Sequence, residues 1–207
     1  MTASDPLRMT VEEYLAFDAA APEGMRYEYW NGVVVPVHGY DETGTVAMAG
    51  ASPEHNQITG NLAATLHGSM TARGCRGALG RQRVRVTAAC HAYPDVAFAC
   101  GRPIYSGDVP PTLVNPTLVV EIVSASTAGQ DWNRKMSAYT QIESLAEYWI
   151  IETTRPEVTR VVRQADGWGL RFHRGLGATL ASDALGVEVS VAEVYRLVNL
   201  PASDEGE

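Results

Sequence analysis

The sequence predicts an α/β (α+β) domain built on one central mixed β-sheet, flanked by helices and extended by β-hairpins. Three observations lead there. Hairpin signals alternate with capped helices along the whole chain. One run, Leu118 to Val123, is apolar on both alternating faces except for Glu121, the mark of a central strand covered on both sides. No internal repeat, low-complexity block or interdomain linker interrupts the pattern. Residues 1–200 are therefore expected to form one domain, with 201–207 a disordered polar tail.

The elements follow in order. Thr10 with Glu13 makes a capping box ahead of "VEEYLAF", so a short helix starts there. "RYEYWNGVVVPV" places strand-like runs on either side of Asn31-Gly32, the signal for a tight hairpin. After the loop "YDETGTVAMAG", Ser52 stands as N-cap and Pro53 at the first helical position. Ile58, Leu62 and Leu66 then repeat at helical spacing. Short strands are expected at 75–80 and 81–87, followed by "YPDVAFAC" and "PTLVVEIVS". A helix over 127–142, the strand "EYWIIET", a hairpin turning at Ala165 to Gly167 and a short helix near "SVAEVYRLV" complete the chain.

Composition narrows the function. The net charge of −8 argues against indiscriminate binding to a polyanion, which needs a basic footprint. Yet "RGCRGALGRQRVRV" carries Arg73, Arg76, Arg81, Arg83 and Arg85 without an acidic residue. That ridge is either a solvated strand face or a contact for nucleic acid. No apolar run reaches bilayer length, so no membrane span is expected, and the first residues do not read as a secretory signal. Cys75, Cys90 and Cys100 are odd in number and lack metal-ligand spacing. They read as reduced, packed thiols of a cytoplasmic protein.

The chemistry centres on buried charge. Glu121, in the middle of "LVVEIV", needs a metal ion, an arginine or a proton, because an unpaired buried charge costs several kcal/mol. Asp95, after Pro94, opens the strand "DVAFA". On neighbouring strands the two carboxylates converge and repel unless a cation lies between them, and oxygen ligands of this kind suit Mg²⁺ or Mn²⁺. The alternative is that each pairs with its own arginine. Lys135 is the only lysine among 16 basic residues, and it shares a helix face with Asp131 and Tyr139 at i, i+4, i+8. A surface pair would be served as well by arginine. A compact ammonium that sits close to a water or a phosphoryl oxygen would not.

The ordered series "RYEYWNG", "SPEHNQITGNL", "YPDVAFA", "PTLVVEIVSAST", "DWNRKMSAY" and "EYWIIE" resembles the Uma-two family of restriction-endonuclease-like proteins, within the PD-(D/E)XK nuclease superfamily. The resemblance runs from about residue 10 to 197 and implies a restriction-endonuclease-like core. It makes Asp95 and Glu121 metal ligands, and implies that the catalytic lysine, absent at Val123, comes from the next helix as Lys135. Glu28 and His55 match family positions that line the same pocket. A first-turn histidine is otherwise an ordinary exposed polar residue, and His38, His67, His91 and His173 have nothing to raise them. Ala125 and Glu152 depart from the family, which has proline and aspartate there.

The expected activity is hydrolysis of phosphodiester bonds in DNA by a Mg²⁺-activated water. Lys135 would assist that water, oriented by Asp131 or Tyr139, with Glu28 reaching the ion through water. Arg81, Arg83 and Arg85 would contact phosphates, and a homodimer would suit cutting both strands. A non-catalytic binding protein on the same fold, or a hydrolase of a smaller phosphate ester, are the competing expectations.

Overall fold

The computed structural model describes residues 6–37, 52–123 and 130–201. Helix α1 (Val11–Ala19) carries the expected capping box between Thr10 and Glu13. The hairpin of β1 (Tyr27–Trp30) and β2 (Val33–Pro36) turns through Asn31 and Gly32, both at positive φ, the geometry that an Asn-Gly pair tolerates best. In α2 (Pro53–Ala72), the Ser52 side chain accepts from the His55 N–H and Pro53 opens the helix. Buried Ile58, Leu62, Leu66 and Met70 form its inner stripe.

Three short strands come next: β3 (Cys75–Leu79), β4 (Val84–Thr87) and β5 (Cys90–Ala92). Then β6 (Val96–Cys100) and β7 (Leu118–Val123) lead into α3 (Gln130–Tyr139), which ends short of the expected 142 while residues 127–129 of that expectation lie outside the described residues, and β8 (Glu147–Glu152). A long hairpin, β9 (Glu157–Gln164) with β10 (Gly167–Arg174), precedes a smaller one, β11 (Thr179–Ser182) with β12 (Val187–Ser190), and the one-turn α4 (Val191–Val194).

The central six-stranded sheet has the order β10-β9-β8-β7-β6-β3 and is mixed, because β7 and β8 run parallel, joined through α3, while the other pairs are antiparallel. One face packs Val96, Phe98, Leu118, Val120 and Trp149 against α2, β12 and α4. The other packs Ala97, Val119, Tyr148, Ile150 and Val161 against α3 and a second sheet, β2-β1-β5-β4. This four-stranded sheet and the β11–β12 hairpin add to the single sheet that the sequence predicts. Alternation along β7 puts Glu121 with Val119 on the second face, under α3.

The cysteine reading needs correction. β3 pairs with β6 so that Cys75 stands opposite Cys100, and the two form a disulfide, while Cys90 is free and buried. The register of strands 25 residues apart brings these sulfurs together, which spacing along the chain does not reveal. Among the described residues, no helix is long and apolar enough to cross a membrane.

Candidate active site

Glu121 lies at the centre of the site. Its strand is buried along its length, and its carboxylate meets two donors from α3: Lys135 Nζ at 3.1 Å and the Tyr139 hydroxyl at 2.8 Å, both on Oε1. Those residues are one helical turn apart, so a single face of α3 delivers both. The partner of Glu121 is thus a lysine and a phenol, and not an arginine. Burial pushes the Glu121 carboxyl up to about 7; Lys135 opposes this, while repulsion from Glu28 and Asp95 reinforces it. Burial, followed by the neighbouring Glu121 and Glu28 carboxylates, likewise drives the Tyr139 hydroxyl well above the usual tyrosine range, so it stays a donor.

Lys135 spans two carboxylates. Its Nζ is 3.2 Å from Glu28 Oε1 as well as 3.1 Å from Glu121 Oε1. Glu28, on β1, is held in turn: Trp30 Nε1 donates to Oε2 at 3.0 Å and the Tyr93 N–H to Oε1 at 3.2 Å. Both Glu28 oxygens are therefore occupied by protein donors. The sequence reading expects Glu28 to reach an ion through water; the structure shows its Oε1 on the Lys135 ammonium. Trp30 and Tyr93 are the residues that reading missed. The signal for Trp30 was present, since i and i+2 on a strand share a face.

Asp95 sits at the start of β6, antiparallel to β7. Its Oδ2 accepts the Ile122 N–H at 2.7 Å, next to Glu121 in the chain, and its Oδ1 is 3.0 Å from His55 Nε2. Both side chains keep a fifth of their surface exposed. For His55, burial lowers the pKa, but the hydrogen bond and charge of Asp95 outweigh it and the net shift is upward. Asp131 belongs to α3 by its backbone, and its side chain lies outside the described residues.

The arginine ridge divides. Arg81 and Arg85 are exposed. Arg83 is only 1% exposed and its Nη1 is 2.7 Å from Asp18 Oδ2, with further bonds to Thr112 and the Pro110 carbonyl. Asp18 also takes the Tyr93 hydroxyl and the Tyr27 N–H. Arg83 is buried, and each of its three guanidinium nitrogens donates to an oxygen inside the fold, so it is not part of an exposed ridge.

The donor set can be weighed as a metal site. Glu121 and Asp95 offer hard carboxylate oxygens on adjoining strands, and the hydrogen bonds of Glu121 fall on Oε1 alone. Among the described residues, no three His, Cys, Asp or Glu side chains gather around one point. Two carboxylates suffice for Mg²⁺, which keeps most of its waters and takes one or two protein ligands. The residues fit such an ion and do not fit a fully protein-enclosed one.

A mixed sheet with α2 and α4 on one face and α3 on the other, carrying a carboxylate–lysine cluster at its middle strands, is the core expected of a restriction-endonuclease-like fold. The chain belongs to the Uma2 family, described as "Putative restriction endonuclease", whose model matches residues 11–192. Two proteins of Synechocystis, both named as uncharacterized, are similar to it. One (sll1609) is 30% identical over 70% of this chain and 75% of its own length. The other (slr1290) is 24% identical over 91% of this chain and 92% of its own. The crystal structure of a "putative nuclease belonging to DUF820" from Anabaena variabilis superposes with a TM-score of 0.69, covering 90% of this chain and 97% of that one at 13% identity.

Proposed function

We propose that the protein is an endonuclease that hydrolyses phosphodiester bonds in DNA, with Mg²⁺ or Mn²⁺ held by Asp95 and Glu121. One observation carries this reading: two carboxylates, Glu28 and Glu121, share a single lysine ammonium, and repulsion from Glu28 and from Asp95 on the neighbouring strand contributes to the raised pKa of Glu121. An excess of negative charge on a half-open sheet face calls for a cation. The family supports the nuclease class. When bound, the ion supplies the charge that polarises the scissile phosphate and makes a water more acidic.

The chain's own residues do the rest. Lys135, clamped between Glu28 and Glu121, presents its ammonium to the developing negative charge and holds or passes a proton at the attacking water. Glu28 positions that ammonium, and Trp30 with the Tyr93 N–H positions Glu28. Tyr139 fixes the Glu121 carboxylate, and His55 fixes Asp95. Arg81 and Arg85 contact phosphates without reading sequence. A homodimer, with its two sites related by the symmetry of a DNA duplex, is the assembly that this reading favours for cutting both strands.

The test is single-turnover cleavage of DNA by wild type and Lys135→Arg in Mg²⁺, with Mn²⁺ binding and thermal midpoint followed in parallel. Arginine keeps the charge but is bulkier and does not release its proton. The variant should fold and bind Mn²⁺, yet cleave about 10²–10³-fold more slowly. Equal rates would remove Lys135 from the chemistry.

A further inference from the structure

Beyond Glu121 along the same sheet face lies a pocket of about 250 Å³. Val123, Ile150, Glu152 and Thr159 line it from the sheet, Trp132 of α3 and Phe172 of β10 add aromatic faces, and Arg155 and Glu157, paired at 3.3 Å, complete it. The parallel register of β7 and β8 sets Glu121 opposite Ile150 and Val123 opposite Glu152. Side chains two apart share a face, so the Val123–Glu152 pair lies about 7 Å past Glu121 toward the C-terminal strand ends. Trp132 precedes Lys135 by one helical turn, so a single helix overhangs both pocket and cluster.

We propose that this pocket receives an unstacked guanine base from the strand whose phosphodiester lies at Asp95 and Glu121. The inference rests on the nuclease reading above. Its walls are aromatic, with Phe172 52% exposed, and bases stack on such faces. Its lining carries two carboxylates, Glu152 and Glu157, which repel phosphate and thus exclude the backbone as occupant. The ion partner of Glu152 is Arg155, 3.7 Å away and itself largely exposed, which is beyond hydrogen-bond reach. Burial raises the Glu152 pKa in spite of that arginine, the behaviour of a carboxylate short of donors. Trp132 adds the reverse lack: its indole N–H is buried and has no acceptor among the described residues.

Guanine supplies both missing partners on one edge. Its N1–H and N2 amino group are adjacent donors for one carboxylate, and its O6 is an acceptor for an indole N–H or for Arg155. Adenine and cytosine offer a single donor beside acceptors, and thymine a lone N–H between two carbonyls. Neither pattern satisfies a carboxylate in two places. A base read this way is recognised by its Watson–Crick edge while stacked between aromatic side chains.

The experiment is calorimetric titration of the intact protein with guanosine, adenosine, cytidine and thymidine 5′-monophosphates. Wild type should bind the guanosine nucleotide at least tenfold more tightly than the others. Glu152→Gln should erase that preference, and Phe172→Ala, at an exposed position that leaves the core untouched, should weaken guanosine nucleotide binding about fivefold. Equal affinity for the four nucleotides, or a full guanine preference retained in both variants, overturns the proposal. The readout needs no cleavage. A guanine preference in a protein that never cuts DNA keeps the pocket and removes the nuclease reading. Efficient cutting with no guanine preference does the opposite.

Discussion

Two charged networks lie side by side in this molecule, joined through Tyr93, whose N–H reaches Glu28 and whose hydroxyl reaches Asp18. Around Asp18 everything is balanced. One carboxylate meets one guanidinium, both side chains are fully buried, and Thr112, Pro110 and Tyr27 take up the remaining donors and acceptors. Around Lys135 nothing is balanced. Two carboxylates, Glu28 and Glu121, share one ammonium, Asp95 and its partner His55 stay partly open, and Glu121 is pushed up to about 7 by burial and by its neighbours. Burial is common to both networks. What separates a site from a strut is unspent charge together with access to solvent.

Breaking the balanced network should have the largest effect on stability. Arg83→Gln leaves the Asp18 carboxylate buried without its counter-charge, and removing one partner of a buried pair costs about 3–5 kcal/mol. Urea denaturation should show a loss of that size; a change below about 1 kcal/mol would mean the pair is not the strut described here.

His91 sharpens the same contrast. It is 2% exposed and lies against the stacked rings of Tyr14 and Tyr29. Burial first, then Arg83 and more weakly Arg85, lower its pKa to about 4, against opposition from Asp108 and Asp18. The unfolded chain therefore takes up a proton near 6.5 that the folded chain refuses until about 4. Stability from this group is complete above pH 6.5 and is lost as pH falls toward 4. Between those values wild type should lose up to roughly 3 kcal/mol more than His91→Gln. Parallel slopes of stability against pH for the two proteins would contradict this.

A smaller effect belongs to the surface. Arg81→Gln and Arg85→Gln should each lower the slope of log affinity for DNA against log salt by about 1, while stability stays within about 0.5 kcal/mol. An unchanged salt slope would leave both as solvated side chains.

Why the sequence reading separated these regions only in part is instructive. Glu121 was legible because a carboxylate in an apolar, doubly covered strand demands a partner, and Lys135 because it stood alone against arginine. The hairpin at Asn31-Gly32 and the cap at Ser52 followed from local backbone chemistry. Arg83 was grouped with the exposed arginines because the stretch from Arg73 to Arg85 holds five of them and no acidic residue, and charge along the chain does not report burial. Within β4 the period holds, with Val84 and Val86 buried and Arg85 exposed, but Arg83 lies outside that register. Its partner Asp18 is 65 residues away, and Cys100 is 25 from Cys75. Such pairings are fixed by how strands and helices dock, which no local pattern records. The second sheet escaped for the same reason, since β5 is three residues long and takes its identity from β1 and β4.

The central claim is that unbalanced charge marks a cation site and balanced charge does not. A crystal soaked in Mn²⁺ and measured for anomalous scattering tests it directly. A peak between the Asp95 and Glu121 carboxylates, with none near Asp18 and Arg83, is the predicted result. No peak at Asp95 and Glu121 under saturating Mn²⁺ would contradict it, and the carboxylates would then be held by Lys135, Tyr139 and His55 alone.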